Sequence, residues 1–210
     1  MRINGFVVVF GLFILSNPVF GQRFGAKAVI GWNMSQVTGD QMAGFDKFGF
    51  MGGLQGTAEI IPKLDLNVEF LYSVRGSRPG IFNSTVDPDI NLTLRYLELP
   101  VYISYNDWYD EENDFYKAYA FAGFSYGRLI SSSVYDNFND GEGDLETLEQ
   151  YFNVNDFSLV LGFGFRLSRR IGIQFRFTRS MNLLLDPDKH GINTYPLRPY
   201  FLTFRGEFIF

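Results

Sequence analysis

Charged side chains recur at alternate positions within apolar stretches of this chain: Lys27, Glu59, Asp65, Glu69, Arg75, Glu98, Arg166, Arg176, Arg205 and Glu207. Arginines and carboxylates gathered on one surface can do one of two things. They can pair into a buried salt-bridge network, where a single unpaired charge would cost about 3–5 kcal/mol. Alternatively, they can line a gated path for protons or ions. Gly49, Gly53, Gly162 and Gly164 fall in the same phase and leave room for long side chains.

Two further groupings invite chemistry. His190 is the only histidine; Asp186 and Asp188 lie near it, and Ser180 is the nearest serine. A serine hydrolase needs nucleophile, base and acid within hydrogen-bond reach. This spacing secures no such contact, so a solvated loop histidine is expected and no catalytic residue is assigned. Residues 136–144 are rich in oxygen ligands, yet Phe138 and Thr147 stand where an EF-hand loop places ligands. A solvated acidic loop is expected there, with no metal site and no cofactor. Gly123 and Gly127 lack phosphate-loop spacing. The net charge of −5, with no Lys/Arg-rich run, argues against nucleic acid as a partner. With no cysteine, there is no disulfide frame, thiolate metal site or lipid-anchoring thiol.

The elements that must position the charges follow from period-two alternation. Phe24, Ala26, Ala28, Ile30 and Trp32 share one face, against Lys27, Val29, Gly31 and Asn33. The same reading yields strands over about 48–60, 64–75, 91–105, 115–130, 157–167, 171–178 and 200–210. Within the fourth, the apolar phase switches from Leu92, Leu94 and Tyr96 to Leu97, Leu99, Val101 and Ile103, which a bulge near Tyr96 and Leu97 would reconcile. The phase of the fifth is ambiguous. Connections near 62, 107–113 and 169 are shorter, whereas 34–46, 76–90, 131–153 and 181–197 are long and polar. Exposed aromatics near the connections, Trp108, Tyr135, Phe138 and Tyr151, are candidate anchors for another protein or a surface ligand.

In lipid only helices and closed barrels satisfy every backbone group. After residue 21, no apolar run reaches the roughly 18 residues a membrane helix needs. Residues 1–21 themselves read as a cleaved secretory signal, with a positive start at Arg2, an apolar core from Phe6 to Leu15, and Val19-Phe20-Gly21 before the cut. Residues 22–210 then form one domain, expected to be all-β: an eight-stranded antiparallel up-and-down transmembrane β-barrel. The aromatic share of 18% suits interfacial girdles on such a barrel. A soluble lipocalin-like barrel is the competing fold, and it would place its apolar face inside.

Gly31-Trp32-Asn33-Met34-Ser35, Phe48-Gly49-Phe50-Met51-Gly52-Gly53, Glu69-Phe70-Leu71-Tyr72-Ser73 and Arg95-Tyr96-Leu97-Glu98-Leu99-Pro100 follow one another in the chain, with Leu161-Gly162-Phe163-Gly164 and the aromatic end after them. This ordered set resembles PorT-like outer-membrane β-barrel proteins of the porin type, over essentially all of residues 22–210. The resemblance implies an eight-stranded barrel in the outer membrane of a Gram-negative cell, in contact with outer-membrane lipid. It also implies handling by the barrel-assembly machinery, for which Gly206, Phe208 and Phe210 are the terminal signal. Such signals usually place glycine five residues before the final aromatic, whereas Gly206 lies four before Phe210. Founding members are associated with protein secretion, so envelope or secretion proteins are the implied partners. An eight-stranded bore is about wide enough to be filled by side chains. The expected role is therefore non-enzymatic, with Lys27, Glu59, Glu69, Arg75, Glu98, Arg166, Arg176, Arg205 and Glu207 plugging the lumen. A narrow pore is the first alternative and a membrane-embedded hydrolase the second.

Overall fold

The alternation becomes architecture in a computed structural model that describes residues 24–40, 44–78, 90–136 and 148–210. Eight strands form a closed barrel: β1 (Phe24–Thr38), β2 (Lys47–Ile61), β3 (Leu64–Ser77), β4 (Ile90–Asp110), β5 (Phe115–Asp136), β6 (Asn155–Arg166), β7 (Ile171–Ser180) and β8 (Arg198–Ile209). Each pairs antiparallel with its neighbours in sequence, and β8 returns to β1 from Lys27↔Ile209 to Thr38↔Arg198. Closure leaves no strand edge unpaired, as a structure immersed in hydrocarbon requires.

Which face points inward separates the two expected barrels. Leu54 and Phe124 on the outer wall are 62% and 60% exposed, whereas Arg205 and Gln174 inside are 0% exposed. Polarity is therefore inverted relative to a soluble barrel, and the wall suits lipid. Outward positions of β4 run Leu97, Leu99, Val101, Ile103 and Tyr105 between Arg95 and Asp107. That charge-free span matches the roughly 9–11 residues a tilted strand needs to cross a bilayer. Outer-wall phenylalanines meet across strands, with ring centroids 5.3 Å apart for Phe163 and Phe175 and 4.9 Å for Phe175 and Phe204.

One end of the barrel carries the tight turns at 62–63, 111–114 and 167–170, and the other carries the longer connections. Lys63 and Asp114 take positive φ of 73° and 53° to close two of those turns. By this asymmetry the longer connections are extracellular. Residues 1–23, with the signal reading, and most of the acidic stretch 136–144 lie outside the described residues.

The irregularity falls where expected along β4, beside Tyr96, but the extra residue is on the partner strand. Inward burial in β4 runs unbroken through Leu92, Leu94, Tyr96, Glu98, Tyr102, Ser104 and Asn106. The register shift lies opposite, where Arg95 pairs with Ser131 and Tyr96 with Leu129, so Ile130 on β5 is the extra residue. The apolar phase of β4 switches because its upper end faces an apolar cluster inside the barrel. Val37, Leu92, Leu94 and Tyr96 meet Leu148, Phe152, Leu184, Leu185 and Leu197 from the extracellular connections. Backbone bonds tie these connections down: Asn153 N to Leu184 O at 2.6 Å and Leu184 N to Leu197 O at 2.8 Å.

Candidate functional site

Strand alternation aims the charges below that apolar cluster, and two ion clusters result. In the lower one Glu69 on β3 is the shared acceptor. Its Oε1 takes Arg176 Nη2 at 3.0 Å, Arg205 Nη2 at 2.5 Å and Tyr102 Oη–H at 2.6 Å, and its Oε2 takes Arg205 Nη1 at 3.1 Å. Glu207, two residues on from Arg205, accepts from Lys27 Nζ at 3.0 Å and Gln174 Nε2 at 3.1 Å. Lys27, Arg176 and Arg205 thus face Glu69 and Glu207. In the upper cluster Arg75 pairs with Asp156 at 2.7 Å and Glu98 at 3.7 Å. Its guanidinium lies 3.8 Å from the Tyr96 ring and 4.8 Å from that of Phe201, a cation–π sandwich. Each cluster is out of balance by one charge and of opposite sign, so together their four cations meet four anions.

Glycines make space for this packing in two ways. A Cβ on Gly164 would run into the Tyr119 ring, and one on Gly162 into Phe121. Those rings lean across β6 and bring Tyr119 within 3.2 Å of Gln174 Nε2. Gly49 and Gly53 instead admit the β3 backbone, at Val74 and Phe70, and not the long side chains expected there.

Seven of the nine expected lumen charges, Lys27, Glu69, Arg75, Glu98, Arg176, Arg205 and Glu207, join these clusters. Glu59 and Arg166 do not. They are half-buried at the periplasmic mouth, where with Lys27, Lys63 and Asp65 they line a cavity of about 580 Å³. Asp65 is held there by Asn106 Nδ2 at 2.7 Å. At the adjacent turn, a hydrogen bond to Asp107 raises the pKa of Lys63 above the ordinary lysine value. Asp156, Tyr102, Tyr119 and Gln174 were absent from the sequence expectation. Asp156 stands one residue before the strand as read from 157, yet in phase with Ser158. Tyr102 is in phase with Glu98, so alternation marks both.

The hydrolase grouping is not assembled. Ser180 is buried inside the barrel with its Oγ 3.5 Å from Ser158 Oγ, whereas His190 is exposed on a one-turn helix, its ring tilted against that of Tyr151 with centroids 4.8 Å apart. Among the described residues no group of three His, Cys, Asp or Glu side chains could hold a metal ion. At the terminus, Phe208 and Phe210 are exposed on the outer wall with centroids 5.5 Å apart, and Phe210 N donates to Ala26 O at 3.0 Å.

The family model for "Outer membrane protein beta-barrel domain" matches residues 19–186. Among solved structures, Neisserial surface protein A is 12% identical, with 90% of this chain and 99% of that one covered and a TM-score of 0.49. Ail, the attachment invasion locus protein of Yersinia pestis, is also 12% identical, with 89% and 98% covered and a TM-score of 0.44. A de novo designed transmembrane β-barrel is 10% identical, with 89% and 95% covered and a TM-score of 0.40. Comparison with curated proteins gives no match.

Proposed function

The chain belongs to the outer membrane protein beta-barrel domain family, a multi-pass barrel of the outer membrane, and we propose that it serves there as a non-enzymatic structural or interaction component with a side-chain-plugged lumen. The carrying observation is Glu69, which with Arg176 and Arg205 ties β3 to β7 and β8 across the bore. The apolar cluster above it supports the same reading, since it would close the extracellular end. A barrel sealed in this way acts through its connections and its outer wall. The likeness to PorT-like barrels, carried by residues such as Arg95-Tyr96-Leu97-Glu98-Leu99-Pro100, supports a place beside secretion or envelope-assembly proteins. Gly206, Phe208 and Phe210 are the proposed recognition signal for the assembly machinery.

Cross-linking in the native membrane, followed by extraction in mild detergent, tests the interaction role. The expected result is an assembly larger than the chain, with defined partners; a lone barrel of about the chain's own mass would refute it. A narrow pore is the second reading. It is favoured by Arg75 Nε, Arg176 Nε, Arg205 Nε and Gln174 Oε1, buried atoms without a hydrogen-bond partner that ordered water would satisfy.

A further inference from the structure

The charge on the outer wall is confined to its edges. On β4 Arg95 tops the apolar positions, on β5 Arg128 stands above Tyr126 and Phe124, and on β7 Arg179 stands above Phe177 and Phe175. On three of the four strands β4–β7 the first outward charge met toward the extracellular rim is therefore an arginine. The ion pairs among the described residues engage Lys27, Lys63, Arg75, Lys117, Arg176 and Arg205. The rim arginines are not among them.

Beside this rim lies a cleft of about 570 Å³ between the β5–β6 and β7–β8 connections, lined among others by Arg128, Tyr151, Asp186, Lys189 and His190. Arg128 and Lys189 are exposed, and Arg128 spends one N–H on Asn155 Oδ1 at 2.9 Å, leaving further donors free. Among the described residues Asp186 is the one carboxylate lining the cleft, and its Oδ1 already accepts from Lys189 N at 3.4 Å. The described lining of the cleft, Arg128 and Lys189 against Asp186, is thus net positive in a chain whose net charge is −5. The rings of Tyr151 and His190, tilted at 41° with centroids 4.8 Å apart, add aromatic surface beside the cations. Directly below, Phe157 is exposed on the wall and packs with Tyr126 at 5.4 Å.

We propose that this cleft seats the phosphorylated sugar headgroup of an outer-leaflet glycolipid. Its phosphate would be held by Arg128 and Lys189, its sugar would lie near Tyr151 and His190, and its acyl chains would run down the wall past Phe157. The position selects the ligand class: guanidinium and ammonium donors suit phosphate, and only a lipid uses the apolar wall below them. A soluble anion would gain nothing from that wall.

The test is native mass spectrometry of the full chain, refolded in zwitterionic detergent and titrated with diphosphorylated lipid A, with lipid A stripped of both phosphates, and with inorganic phosphate. The expected result is one diphosphorylated lipid retained per barrel and little retention of the stripped lipid. Arg128→Gln with Lys189→Gln should weaken retention about tenfold or more, the loss expected when charge-assisted contacts go. Arg169→Gln with Arg170→Gln removes the same charge at the periplasmic turn and should change nothing. A heat-modifiable gel band confirms that each variant is folded. Equal retention of the stripped lipid by the parent protein overturns the proposal without recourse to any variant. So does equal weakening by the periplasmic pair, unchanged retention by the cleft pair, or displacement of the lipid by equimolar inorganic phosphate.

Discussion

Glu69→Gln removes one charge and almost no volume from the lower ion cluster. The carboxylate it replaces is the shared acceptor for Arg176 at 3.0 Å and for Arg205 at 2.5 and 3.1 Å, with all three side chains at most 3% exposed. After the substitution Lys27, Arg176 and Arg205 would face Glu207 alone. Breaking a buried pair costs about 3–5 kcal/mol, chiefly because the partner is left as an uncompensated charge. Glutamine keeps an acceptor for one guanidinium, which places the expected loss near about 3 kcal/mol. Equilibrium urea unfolding in lipid vesicles, followed by tryptophan fluorescence and the heat-modifiable gel shift, measures it. Lys63→Gln, at a pair exposed on both sides, should cause no measurable loss. Glu69→Leu with Arg205→Met should recover part of the stability lost by Glu69→Leu alone, since both ends of one pair then go together. A loss below about 1 kcal/mol for Glu69→Gln would refute the reasoning, because the arginines would then be solvated and the bore wet.

The wall and the terminus give further tests. Leu99→Arg, in the charge-free span of β4, should cost about 2–4 kcal/mol in the same unfolding assay, whereas Ser133→Arg near the extracellular end of β5 should cost about 0–1 kcal/mol; equal costs would misplace the membrane. Gly164→Leu should destabilise by about 1–3 kcal/mol through collision with the Tyr119 ring, and Tyr119→Ala should relieve part of that loss. Phe208→Ala with Phe210→Ala should slow membrane assembly in a time course of the heat-modifiable form while leaving the assembled barrel's stability little changed. An unaltered time course would remove these residues from the assembly signal.

Strand number, order and most of the lumen charges were legible in the sequence because a barrel wall obeys one rule, inward and outward by turns. Its exceptions arose where that rule is modulated by tertiary surroundings. Leu92 and Leu94 point inward although apolar, because the extracellular connections bring Leu148, Phe152, Leu184, Leu185 and Leu197 down upon them. No local pattern announces such a contact between distant segments. The shift on β5 was hidden for a related reason: small and aromatic residues occupy both of its faces, so Ile130 could slip without an obvious break in pattern. Glu59 and Arg166 have the right phase but sit at the periplasmic mouth, and phase carries no depth. Asp156 falls outside a strand read from 157, because β6 begins two residues earlier, at Asn155.

Planar-bilayer recording of the purified full chain is the decisive measurement for a lumen sealed by its own side chains. No steady unitary conductance is expected, either from the parent protein or from Arg166→Ala at the periplasmic mouth. A steady conductance that shifts with Arg166→Ala or Glu69→Ala would contradict the account and make the barrel a narrow pore.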